Sequence, residues 1–396
     1  MRNIIITGGE LFNKGAQAMT FVTVSELKKR FPNHKIILLS EMDKSRPKEE
    51  KAKYAFDFMG WYPIKFARAQ KNPILKLLCK LHNAEEYNEC YNIYTNTDMM
   101  VDISGYALGS NWGVNSLNIY ADNLEYASCF NIPYYILPQS FGPFNFSEDK
   151  KAIDERIKKF LPSVKCICAR EEEGYRELKE YYKLNNILLL NDIVLNNKNV
   201  ELSKIYNDFT LDNVIKLNQK SVAIIPNNKS FELSNNNDLY QYYNDIIDLL
   251  NEYGYTIYIL YHSTQDIEIC KKIYNDNSDK NVILLNKEFN CIEYSEIVKQ
   301  VDFIVASRFH SIVHSFKENI PCIALGWAEK YKVLLGKFEQ DKYNFDVRNN
   351  IDETQLSGAI KALINNLKLE KNLIEKNLKE IQKENIFDIV FGEVKK

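Results

Sequence analysis

Arg308 and His310 stand two residues apart in Ser307-Arg308-Phe309-His310-Ser311-Ile312-Val313-His314. The apolar run at 302–306 before them reads as a buried strand. Ile312, Val313 and Phe316 after them have helical spacing. In open α/β sheets such a strand-to-helix turn is where ligands sit. Helix amide groups there favour an anion, Arg308 adds a fixed positive charge, and a histidine can hold or yield a proton near neutral pH. The stretch therefore predicts an anion-handling site, against the plainer reading of a helix N-terminus with a surface arginine and a packed histidine. Arg170 also follows a strand, in Ala169-Arg170-Glu171, though pairing with Glu171 to Glu173 would explain it as well. His262 ends another strand in Tyr261-His262-Ser263-Thr264, and Lys330 follows one in Gly326-Trp327-Ala328-Glu329-Lys330-Tyr331. His314 lies one helical turn beyond His310, but no third ligand follows at a recognisable spacing and HExxH is absent. A supporting role is therefore expected of His314, and no metal site is expected.

The elements that must position these residues alternate regularly. Apolar runs at 3–7, 35–39, 99–103, 133–137, 164–169 and 186–190 read as strands, separated by helical patterns at 11–30, 116–130, 148–160 and 171–182. A second series has strands at 222–225, 256–260, 282–285, 302–306 and 321–325, with helices at 238–253, 265–276, 292–299 and 310–318. Alternation of this kind predicts α/β architecture, with doubly wound Rossmann-like sheets. Residues 1–195 form the expected first domain, with a helical insertion at about 45–97. The polar stretch 196–220 is read as a linker and 221–350 as a second domain. Residues 351–396, with helical patterns at 353–366 and 368–388, are expected to brace the first domain. Unusual residues cluster at strand ends, so two sheets with facing carboxyl edges would bring them to one central cleft.

Composition narrows the function. The 396 residues carry 51 Lys+Arg against 53 Asp+Glu, a net charge of −2, so no global basic field exists to hold nucleic acid. Any anion site must be local. The eight cysteines include no paired CxxC set, which fits reduced thiols and a cytoplasmic location. No apolar run approaches a membrane span, and the N-terminus lacks a signal-peptide pattern. No oligomeric state is read from the sequence.

In order, ITGGELFNKGAQAM, VDISGYALGSNWG, LPQSFGPF, the Ala-Arg-Glu at 169–171, and SRFHSIVHSF running through IPCIALGWAEKY resemble the polysaccharide pyruvyl transferase family. The resemblance covers about residues 3–340. Asn13 to Ala16 match the NKGA-type first turn of one subgroup. The resemblance implies two Rossmann-like domains around a central cleft, similar to GT-B glycosyltransferases, the first on the acceptor side and the second on the donor side. It implies transfer of a pyruvyl group from phosphoenolpyruvate, a donor substrate rather than a cofactor, to a sugar of a bacterial surface polysaccharide or its precursor, as a pyruvate ketal. Partners would be phosphoenolpyruvate and a glycan acceptor, with peripheral membrane contact through a lipid-linked acceptor.

For that chemistry the candidate catalytic residues are Arg308 and His310, His310 as general acid, and the candidates to hold the donor are Arg170, Arg308, Lys330 and His262, the two arginines being also what the resemblance suggests. Gly9, Asn13, Lys14, Gly15, Ser104, Gly105, Trp112, Gln139 and Ser140 line the cleft. Where relatives often read G-D-x-W-G, this chain has Gly109-Ser110-Asn111-Trp112-Gly113, so Asp102 is the carboxylate left to assist the acceptor. Two other readings stay open: a GT-B glycosyltransferase using a nucleotide sugar, and a non-catalytic glycan-binding relative.

Overall fold

The computed structural model describes residues 1–209, 211, 215–234 and 239–392. Its first sheet contains β1 (Arg2–Thr7), β2 (His34–Leu39), β3 (Asp57–Met59), β4 (Thr97–Asp102), β5 (Tyr134–Gln139), β6 (Cys166–Ala169) and β7 (Ile187–Leu189). Its second contains β8 (Ser221–Ile225), β9 (Thr256–Ile259), β10 (Val282–Leu284), β11 (Phe303–Ala306), β12 (Cys322–Gly326) and β13 (Asn344–Asp346). The spatial orders are β3-β2-β1-β4-β5-β6-β7 and β10-β9-β8-β11-β12-β13, and the pairings are parallel. Parallel strands are covered on both faces, which is why they read as unbroken apolar runs. In each sheet the order reverses, between β1 and β4 and between β8 and β11, and a crevice opens at such points.

The pleat divides the core in two. Ile4 and Ile6 share an apolar core with Val222, Ile224, Ile304 and Val305, so this core runs unbroken from one domain into the other. Ile5 points the opposite way and packs with Leu117, Leu124 and Ile136. The Lys14–Arg30 helix lies between the domains and is buried around most of its circumference. Asn13 caps it by accepting from the Gly15 N–H at 2.9 Å, and Gln17 reaches across to accept from the Cys291 N–H at 2.6 Å.

Several elements depart from the sequence expectation. The insertion at 45–97 holds β3 among its helices, and β13 extends the second sheet. Both are three-residue edge strands, too short for a period to register. The first part of the 196–220 stretch docks on the first domain, and its end binds the second, where the Leu217 N–H donates to Gln300 Oε1 at 3.0 Å. Asn196 and Asn197 are buried, the Glu201 N–H donates to Ser25 Oγ at 3.1 Å, and Tyr206 stacks on Tyr54. Asn197 Nδ2 donates to Glu26 Oε1 at 3.1 Å, and Asn207 Nδ2 to the carbonyls of Ala52 and Tyr54 at 2.9 and 3.0 Å. Residues 210 and 212–214 of that stretch, and Asp238 at the start of the expected 238–253 helix, lie outside the described residues, as does 393–396.

The two expected tail helices are one helix, Glu353–Ile381, with a break at Asn366, followed by a short Ile386–Phe391 helix. This tail returns to the first domain. Asn196 Nδ2 donates to the carbonyls of Ile381 and Glu384 at 2.8 and 2.7 Å, and Phe391 packs edge-on against Tyr135 at 5.0 Å between ring centres. Phe387, 1% exposed, anchors it. Phe387→Ala should lower unfolding free energy by about 3 kcal/mol, read as a lower urea midpoint; an unchanged midpoint would show that the tail does not brace the fold.

Candidate functional site

The carboxyl ends of β1, β4 and β6 face those of β8, β9, β11 and β12 across a cleft of about 460 Å³. Glu10, Tyr106, Trp112 and Arg170 line it from the first domain; Arg308, His310 and Lys330 line it from the second. A smaller pocket of about 220 Å³ adjoins it on the first domain's side. The two share Gly8, Glu10 and Ser104, and the smaller adds Glu41, Trp61 and Asn123.

Both arginines are held by buried carboxylates. Arg170, 4% exposed, donates from Nε to Glu171 at 2.9 Å, from Nη1 to Asp192 at 2.7 Å and from Nη2 to Ser140 Oγ at 2.7 Å. Arg308 donates from Nε and Nη2 to the two oxygens of Asp266 at 2.8 and 2.7 Å, a bidentate pair. Such pairing fixes the guanidinium planes before any ligand arrives. Lys330 differs, having no carboxylate partner among the described residues. Its ammonium lies 5.1–5.4 Å from the ring centres of Trp327, Phe309 and Tyr106. Burial, with repulsion from Arg170 and Arg308, pushes its pKa down to about 8. A bound anion would reverse that cost.

His310 stands with Nε2 3.7 Å from Asp192 Oδ2. Burial lowers its pKa to about 4; Asp192 opposes the shift, and Arg170 and Lys330 add to it. With its pKa this low, the imidazole favours the neutral form at pH 7 in the free protein. It rests on Gly15 of the facing domain, where an added Cβ would overlap the ring. Glycine is required there by close approach rather than by turn geometry. Polar atoms around the cleft also lack partners among the described residues: His310 Nε2, both His262 ring nitrogens, and Nε1 of Trp112 and Trp327.

The strand-end rule overreached for other residues. Asp102, the last residue of β4, points into the sheet, fully buried. It accepts from Thr7 Oγ1, Tyr134 Oη and Gln139 Nε2 at 2.9, 3.1 and 2.8 Å, so it organises the floor rather than meeting an acceptor. Gln139 is buried with it. Ser140 sits behind Arg170 and donates to Glu171 at 3.0 Å. Lys14 folds back over the Tyr261 ring between the domains, and Gly15 supports His310 instead of lining the cleft. Gly9 lines the smaller pocket. Asn13, Ser104, Gly105, Trp112 and His262 do line the cleft. His262 is 1% exposed, against His314 and Tyr294, and burial holds its pKa well below the usual value. It is a poor anchor for an anion because it stays neutral. Ser110 is tied into its loop by its backbone, donating to Pro143 O at 2.7 Å and accepting from Lys150 Nζ at 2.8 Å.

Two residues emerge only in three dimensions. Asp192 follows β7 and joins Arg170 to His310; its place in Asn191-Asp192 after a strand was the available signal. Glu10, in the first turn, lines both pockets, and burial followed by the nearby Asp43 raises its pKa while Arg308 opposes. It is a carboxylate placed where Asp102 is not.

A family model described as polysaccharide pyruvyl transferase matches residues 13–329. No curated protein matches the chain by sequence. Among solved structures, UDP-GlcNAc 2-epimerase from Neisseria meningitidis bound to UDP-GlcNAc is similar with a TM-score of 0.59 at 13% identity, covering 98% of each chain. UDP-GlcNAc 2-epimerase from Methanocaldococcus jannaschii gives 0.55 at 12% identity, covering 95% of this chain and 99% of that one. A glycosyltransferase from Rickettsia africae gives 0.54 at 11%, covering 99% of both. At such identities the likeness establishes the fold, which is GT-B-like.

The histidines carry a pH prediction. His310 and His314 bind protons only at about 4 and about 3 in the folded chain, against an ordinary 6.5. Below pH 6.5 the unfolded chain takes up protons that the folded chain refuses, so stability should fall as pH drops from about 7 to 4, by up to about 1.4 kcal/mol per pH unit per group. Urea midpoints at pH 7 and pH 5 check this. Asp192→Asn should drive the His310 pKa lower still, seen as the imidazole NMR titration moving to more acid pH.

Proposed function

Because the chain belongs to the polysaccharide pyruvyl transferase family, we propose that it moves a pyruvyl group from phosphoenolpyruvate to two hydroxyls of one sugar in a surface polysaccharide or its precursor. The observation carrying this reading is that Lys330, a half-buried ammonium with no ion-pair partner among the described residues, lines one cleft with Arg170, Arg308 and His310. A donor with a carboxylate and a phosphate would supply the missing negative charge. It would also raise the pKa of His310, charging the imidazole in the complex.

The bond changes then balance. His310 gives a proton to the donor methylene, which becomes a methyl group, while one sugar hydroxyl bonds to the adjacent carbon. The second hydroxyl displaces phosphate from that carbon, closing the ketal. One hydroxyl proton replaces the one taken from His310, and the other leaves with phosphate. Glu10, between the two pockets, is the base for a hydroxyl, and the smaller pocket with Trp61 takes the acceptor sugar. The reaction is assigned to the cytoplasmic side, where phosphoenolpyruvate is available. In keeping with that, no helix among the described residues is long and apolar enough to cross a membrane.

Incubation with phosphoenolpyruvate and a panel of sugar acceptors should release phosphate; none with any acceptor, and no donor binding, would overturn the reading. A rise in melting temperature with UDP or GDP sugars but not with phosphoenolpyruvate would favour a glycosyltransferase instead. Lys330→Gln should raise KM for the donor at least about tenfold, and Glu10→Gln should lower kcat by about 10²–10⁴ with little change in that KM. Donor binding near pH 8 should take up protons at Lys330 and His310, measured by calorimetry in buffers of different ionisation enthalpy.

A further inference from the structure

Thirteen large apolar side chains are exposed among the described residues, and four fall on one ten-residue helix, Pro73–His82. Ile74 (73% exposed), Leu77 (60%), Leu78 (45%) and Leu81 (69%) recur at i, i+3, i+4 and i+7 and so share one face. The opposite face holds the helix to the domain: Leu75 and Cys79 pack in the same core as Phe66 and Tyr87. The exposed stripe is therefore surplus to folding. Asn72 caps the helix by accepting from the Leu75 N–H at 3.0 Å, so the stripe is presented by a formed helix.

Charge indicates what covers it. Residues 63–83 contain Lys65, Arg68, Lys71, Lys76 and Lys80 and no Asp or Glu, in a chain whose net charge is −2. Arg68 is bound to Glu125, but the lysines have no carboxylate partner among the described residues. The neighbouring Ala84–Thr95 helix contributes Glu85, Glu86 and Glu89, after the basic segment ends. An apolar edge flanked by lysines is the composition of a helix lying in the plane of a membrane interface. The same insertion supplies Trp61 to the smaller pocket, two residues before Pro63, where the basic segment begins.

We propose that the Pro73–His82 helix docks this protein on an anionic lipid bilayer, with Ile74, Leu77, Leu78 and Leu81 entering the interface and the exposed Lys71 and Lys80 meeting lipid phosphates. The docking surface belongs to the protein itself and does not depend on what the cleft binds, so its failure leaves the proposed chemistry untouched. The full chain, without substrate, should co-sediment with phosphatidylcholine vesicles containing phosphatidylglycerol and far less with phosphatidylcholine alone. Leu77→Gln with Leu81→Gln should weaken binding at least about tenfold at an unchanged melting temperature. Lys71→Gln with Lys80→Gln should weaken it by roughly fivefold per lysine, an effect that high salt reproduces in the parent chain. No binding to the anionic vesicles, or equal binding by the leucine variant, overturns the proposal. So does a dimer in light scattering that the leucine variant dissociates, since a second copy would then be the occupant.

Discussion

Asp192 is the carboxylate on which the cleft depends. It is 2% exposed, accepts from Arg170 of its own domain at 2.7 Å, and faces His310 of the other domain at 3.7 Å. Burial alone would keep it protonated, yet Arg170 and His310 hold its pKa below the ordinary carboxylate range. It therefore stays charged although buried, where a charge acts over a longer range than in water. Removing it would leave an arginine, a lysine and an imidazole facing one another with less to hold them.

The other carboxylates follow the same logic at lower stakes. Asp266 binds Arg308 and Glu171 binds Arg170, so each guanidinium is oriented and partly neutralised. Lys330 is the exception, since its ammonium lies against aromatic rings and has no ion-pair partner among the described residues. The aromatic rings around Lys330 lessen the cost of holding it there without satisfying its charge.

The fold was legible because its signal is repetitive. Buried parallel strands are apolar throughout, turns follow them, and both sheets announced themselves in this way. What failed to show was either short, like β3 and β13, or decided by packing, like the start of the 196–220 stretch, where Asn196 and Asn197 look solvated and are instead buried. At the site, residues in loops beyond strand ends, such as Arg308, Lys330, Trp112 and Asn13, were found by position. Asp102 and Gln139 were misplaced because a strand's last residues still obey the pleat and point into a face. Glu10 and Asp192 were passed over because a carboxylate beside a turn is common, and only the cations gathered from distant segments give these two meaning.

Gly15 couples the two halves in another way. His310 of one domain rests against bare backbone of the other, so how much water reaches the imidazole is set by the separation of the domains. Moving them apart would hydrate the ring and return its proton affinity toward that of free histidine. A side chain at this one position would force the ring and the facing backbone apart, so the fit of the two domains here is set by the absence of a single carbon atom.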